Sequence, residues 1–175
     1  MRRKGRFPVS QFFVHKERRI AYRTFGEGSR TIVFSHGLLM DVRMFSYLVP
    51  ALVDGGNRVL LIDMLGHGDS DHPHSMASYS MTQFGDDVIA LLDHLGIDEA
   101  VVGGTSLGAN VALEAAVIAP ERPYGDADRL AEEMPNAQMI EAKSIIEWRV
   151  SPSRLNHKLV AFLDEVWQPS TRSLL

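Results

Sequence analysis

The sequence predicts an α/β fold, a mostly parallel sheet sandwiched by helices, and three observations carry that prediction. Short continuous apolar runs, "TIVFS" at 31–35, "RVLLID" at 58–63 and "EAVVGG" at 99–104, read as buried parallel strands. A stretch with apolar residues at helical spacing follows each run, giving the strand–helix alternation of an α/β protein. Each strand also ends in a glycine-bearing turn, after residues 35, 63 and 104. Crossovers in such a sheet are right-handed and sites lie at the carboxyl ends of the strands, so the three turns converge on one edge of the sheet.

The elements follow in order. Pro8 to Arg23 mixes aromatic and β-branched residues with charges, as an exposed edge hairpin does, and "GEGS" at 26–29 closes it. From Asp41, the residues Phe45, Leu48, Val49 and Leu52 recur at helical spacing, with Pro50 marking a kink or restart. Ser80 and Gln83 form a capping box for a helix that carries Phe84, Val88, Leu91, Leu92 and Leu95 and stops at Gly96. Leu107 to Ile118 is apolar nearly all round and is expected to be buried, with Pro120 ending it. Beyond it, "GDADRLAEEM" reads as a helix, "AQMIEA" at 137–142 as a strand, and a C-terminal helix starts at Ser151 or Ser153. That last helix turns Leu155, Leu159, Phe162, Leu163 and Val166 inward.

With 175 residues the chain is read as a single domain over 1–175, an N-terminal core at 1–122 and a C-terminal strand and helix at 123–175. A net charge of -4 argues against a nucleic-acid partner. The basic residues Arg2, Arg3, Lys4 and Arg6 are not followed by the apolar stretch of a secretory signal, and no run approaches a membrane span. Cysteine is absent, which removes disulfides, thiolate metal ligands and cysteine nucleophiles. The expectation is a cytoplasmic protein with no membrane partner.

Gly104-Thr105-Ser106-Leu107-Gly108 places a serine between two glycines at the junction of the third strand and its helix. In such a G-x-S-x-G turn the glycines let the backbone fold tightly and lift the hydroxyl above the sheet. The helix N-terminus then directs free amides at any oxyanion formed there. Two further segments complete a pattern, "FSHGLLMD" and "DMLGHGDSD", the latter a D-x-x-G-x-G-x-S turn through Asp63, Gly66, Gly68 and Ser70. In order and spacing the three motifs, covering residues 30–122, resemble the α/β-hydrolase family.

The resemblance implies a serine hydrolase acting on a carboxylic ester or similar acyl substrate, a small molecule, through an acyl-enzyme. Ser106 would be the nucleophile, and the amides of Leu38 and Leu107 the oxyanion hole. No cofactor is implied. In this family a cap and two more core strands usually stand between the region of residue 122 and the tail, so the fold is read as a shortened form. The acid that usually completes the triad follows one of the missing strands, and the position of the usual histidine falls at Ser144 or Ile145, so both roles are unassigned. Asp126 and Asp128 read as helix-capping acids, and the segment "KSIIEWR" contains no histidine. Without a cap the site would be shallow and wet, with slow hydrolysis of small activated esters as the expectation.

The remaining candidates have plainer readings. His36 and His67 shape the family turns, with service as a substitute base the sharper alternative. His157 reads as a surface residue, His94 as a complement to a helix dipole, and His15 as part of a solvated hairpin. His72 and His74 with Asp69 or Asp71 have a metal-like spacing that polar loops also produce, and no metal is assigned. Glu147 and Trp148 read as packing at a strand end. The strand at 137–142 is expected to pair beside 99–104; failing that, the open edge predicts a homodimer. The alternative function is a catalytically inactive hydrolase-like protein, a binding module or an internally deleted gene product, in which Ser106 persists as architecture only.

Overall fold

The computed structural model describes residues 7–119 and 153–166. Gln11–His15 (β1) and Arg18–Phe25 (β2) form the expected hairpin, Phe13 opposite Ile20. Its two-residue turn has positive φ at both Lys16 (47°) and Glu17 (62°), the mirror-image turn whose twist matches that of the flanking strands. Arg30–Ser35 (β3), Asn57–Asp63 (β4) and Val101–Gly104 (β5) are the three apolar runs. The sheet order is β1-β2-β4-β3-β5. β3 lies parallel to both β4 and β5, whereas β2 is antiparallel to β1 and β4. Four strands therefore share one direction and β2 alone opposes them.

Period-two alternation divides the core between the faces of the sheet. Val33, Leu60 and Ile62 point toward Met81–His94 (α2) and Leu107–Ile118 (α3), where Phe84, Val88, Leu91, Leu92, Val111 and Ala115 meet them. Ile32, Phe34, Val59 and Leu61 face the other way, onto Phe45, Leu52 and Leu163. Leu163 belongs to Ser153–Val166 (α4), which begins at one of the two expected serines. Leu159 and Phe162 of that helix pack on the same cluster, Asn156 Nδ2 donates to the Tyr47 carbonyl at 3.2 Å, and Asp164 pairs with Arg30 at 3.5 Å.

Pro50 restarts the second helical segment, as its missing N–H requires. Val42–Phe45 is a 3₁₀ turn capped by Asp41, and Val49–Asp54 (α1) begins afresh with the proline in its first turn. Ser80 caps α2 by accepting the Gln83 N–H at 3.0 Å, but the Gln83 side chain reaches forward to Asp87 at 2.9 Å, so only half of the expected box forms.

Two readings are corrected. α3 is not buried all round: Ala109, Asn110 and Val117 are exposed, and Gly108, Val111, Ala115 and Ala116 form its buried face. Its small residues serve close approach to β3 and α2 more than burial on every side. His15 is no solvated hairpin residue either. Its Nδ1 lies 2.8 Å from Oδ1 of Asp87, a carboxylate buried in α2, and Arg18 stands 3.7 Å from the same oxygen. Burial raises the Asp87 pKa against the opposing pull of His15 and Arg18. The expected strand at 137–142, and with it the open edge beside β5, lies outside the described residues.

Candidate active site

The three turns do converge. Ser35 accepts the Thr105 N–H at 3.2 Å, joining the ends of β3 and β5, and the Met64 N–H donates to His36 Nε2 at 3.1 Å, joining those of β3 and β4. At the elbow, β5 and α3 press against the end of β3. A Cβ on Gly104 would stand 2.6 Å from the Ser35 carbonyl oxygen, and one on Gly108 would collide with the same carbonyl group. Both positions therefore require glycine.

Ser106 sits in this turn with φ 55° and ψ −116°, a conformation that L residues rarely adopt and that costs about 1–3 kcal/mol. Its side chain is exposed and does not cap α3. Ser80 provides the contrast within the same molecule: it has extended backbone (φ −151°, ψ 161°) and its hydroxyl is spent on its helix. The strain at Ser106 leaves its hydroxyl free of that duty.

The Gly37 turn packs directly on the elbow. A Cβ on Gly37 would lie 3.6 Å from the Thr105 carbonyl oxygen and 3.9 Å from Ser106 Cβ. Leu38 follows, exposed, and Leu107 opens α3, so the turns that carry the two candidate oxyanion amides flank the serine. Beyond Gly37, a pocket of about 330 Å³ is lined by Leu39, Met40, Asp41, Arg43 and Met44. The Arg43 guanidinium on its rim holds the Asp41 carboxyl below its usual range.

His36 and His67 are committed elsewhere. Since His36 Nε2 accepts from Met64, its protonated nitrogen is Nδ1, which donates to the Gly37 carbonyl at 2.8 Å. His67 repeats the pattern, with Nε2 accepting from the Leu39 N–H at 3.3 Å and Nδ1 donating to the Leu65 carbonyl at 3.1 Å. All four nitrogens are engaged in the turns, and the rings lie 4.9 Å apart. Among the described residues no imidazole hydrogen-bonds to the Ser106 hydroxyl. Burial, with a smaller contribution from His67, keeps the His36 pKa below its ordinary 6.5. Stability from this group is therefore complete above 6.5 and lost as pH falls through the lowered folded value. Urea titrations should show the wild type weakening as pH falls below 6.5 with a steeper slope than His36→Gln; parallel slopes would contradict this.

Asp63 is buried and accepts from Val42 N–H at 3.0 Å and Asp69 N–H at 3.2 Å, which makes it a brace between loops. His72, His74 and His157 are exposed, and no metal-binding group occurs among the described residues. His94, in the last turn of α2, also stacks on Phe13 at 5.6 Å, a packing role the helix dipole did not announce. Asp126, Asp128, Glu147 and Trp148 lie outside the described residues. The His15–Asp87 pair escaped sequence reasoning because its partners are 72 residues apart. No helix among the described residues is long and apolar enough to cross a membrane.

Comparisons with known proteins agree with this geometry. The family model described as alpha/beta hydrolase fold matches residues 30–122. The dihydrolipoyllysine-residue acetyltransferase component of the acetoin cleaving system of Pseudomonas putida is 36% identical over 97 residues, 55% of this chain and 25% of that protein. The 3-oxoadipate enol-lactonase 2 of Acinetobacter baylyi is 37% identical over 102 residues, 58% of this chain and 37% of that one. The crystal structure of epoxide hydrolase A from Mycobacterium thermoresistibile superposes with a TM-score of 0.62 at 30% identity, covering 66% of this chain and 36% of that one. The matched stretch thus spans a quarter to under two fifths of the length of these relatives. With its parallel strands, its strained serine elbow and the family pattern over 30–122, the chain belongs to the alpha/beta hydrolase fold family.

Proposed function

We propose that the chain is a serine hydrolase acting on small carboxylic esters or similar acyl compounds. The observation that carries this is Ser106, exposed, held at positive φ and released from capping its helix. Its Oγ would add to the acyl carbon while the amides of Leu38 and Leu107 hold the developing oxyanion. The C–O bond to the leaving alcohol then breaks, and that alcohol carries away the serine proton. Water attacks the acyl-serine carbonyl, releasing the acid and restoring the hydroxyl. The base that moves these protons is unassigned.

Serine also discriminates between the activities named among the relatives. An epoxide opened by Ser106 would leave an alkyl ether, which has no carbonyl for water to attack, so the cycle would not close. p-Nitrophenyl acetate is therefore expected to release nitrophenolate dependent on Ser106, and styrene oxide to give no diol. Ser106-dependent diol formation would refute the acyl assignment.

The second reading, a catalytically inactive protein of the same fold, is favoured by the engagement of every nitrogen of His36 and His67.

A further inference from the structure

The loop that presents Leu38 is itself strained. Gly37 to Met40 is a β-turn closed by the Met40 N–H donating to the Gly37 carbonyl at 3.1 Å, with Leu38 and Leu39 at its centre. Leu39 has φ 58°, at the turn position where glycine or asparagine is normally found. A branched side chain there costs free energy, and such a conformation persists only when its surroundings over-determine it. The Leu39 side chain contributes little, being 89% exposed.

What fixes the turn is polar. The Gly37 carbonyl is held by His36 Nδ1–H, and the Leu39 N–H is held by His67 Nε2. His67 can accept that bond because its Nδ1–H is pinned to the Leu65 carbonyl, leaving Nε2 bare, and its own N–H is anchored on Met64 O at 2.9 Å. The turn after β4 thus reaches across to hold the turn after β3, and Leu38 lies between the two anchored peptides.

We propose that His67 is a positioning residue for the oxyanion loop: by accepting the Leu39 N–H it locks the strained Gly37–Met40 turn and so aims the Leu38 amide toward Ser106. This rests on the reading of Leu38 as an oxyanion donor. His67 touches no reacting atom in this role and acts through the Leu38 peptide. Loss of the lock frees the turn to relax Leu39 to negative φ, which rotates the neighbouring peptides.

The test uses the full chain with two variants, His67→Phe, which keeps a ring but has no acceptor, and His67→Gln, whose amide oxygen can accept. Long-range proton–nitrogen spectra of the wild type should show His67 protonated on Nδ1 and bare on Nε2. The Leu39 amide should exchange with solvent more slowly in the wild type than in His67→Phe. A proton on Nε2, or equal exchange, would overturn the lock whatever the protein's activity. The rate of Ser106 labelling by a fluorophosphonate should fall about 10-fold in His67→Phe, a part of the roughly 100- to 1000-fold that a missing oxyanion donor costs, and recover in His67→Gln. With p-nitrophenyl acetate the loss should appear in kcat with KM unchanged. Wild-type labelling by His67→Phe would refute the positioning role while leaving Ser106 as nucleophile. A wild type that does not label at all would refute the oxyanion reading itself, and with it the role given to His67.

Discussion

Gly108→Ala is expected to cost about 3 kcal/mol, at the upper end of what overpacking inflicts on a well-packed site. The new methyl would be driven into the Ser35 carbonyl group, and it would also lie 2.7 Å from the His36 carbonyl oxygen. Neither neighbour can move cheaply. Ser35 is the last residue of β3, fully buried and paired with Ile62 on one side and Gly104 on the other, and its carbonyl accepts the Thr105 N–H. A chain of this size should lose roughly 6–12 °C of melting temperature for such a cost. Thermal unfolding of the variant checks this; a melting temperature like that of the wild type would mean that α3 does not seat against β3 as described.

Ser106→Gly is expected to stabilise the protein by about 1 kcal/mol while abolishing the proposed activity. Relief of positive φ at a non-glycine residue is worth about 1–3 kcal/mol, and the extra freedom of glycine in the unfolded chain takes back part of it. Ser106→Ala isolates the hydroxyl, because alanine keeps the Cβ and therefore the strain. Urea unfolding should rank glycine above both serine and alanine, and hydrolysis of p-nitrophenyl acetate should be lost in both variants. A glycine variant less stable than the alanine one would show that the elbow is not strained. Function would then be costing this fold nothing at residue 106.

The fold was legible where the chain repeats a period. The three apolar runs announced β3, β4 and β5, and Pro50 announced a restarted helix because proline lacks the N–H a continuous one needs. The elbow was legible as a motif, since Gly104 and Gly108 mark close approach and Ser106 falls between them. Legibility failed where the outcome depends on which distant group meets which. His15 finds Asp87 across 72 residues, and no local pattern records it. The tautomers of His36 and His67 are set by Met64, Gly37, Leu39 and Leu65, so the engagement of their ring nitrogens emerges only when two turns meet. The composition of α3 misled for a related reason: alanine is apolar enough to suggest burial and small enough to be there for close packing.

Ser106 is proposed as a working nucleophile and not a relic of the fold. Intact-protein mass spectrometry after exposure to a fluorophosphonate tests it directly, with Ser106→Ala as the control. A single adduct is expected on the wild type and none on the variant. No adduct on a wild type shown to be folded would contradict it, and would leave the strained elbow as architecture of a catalytically inactive member of the family.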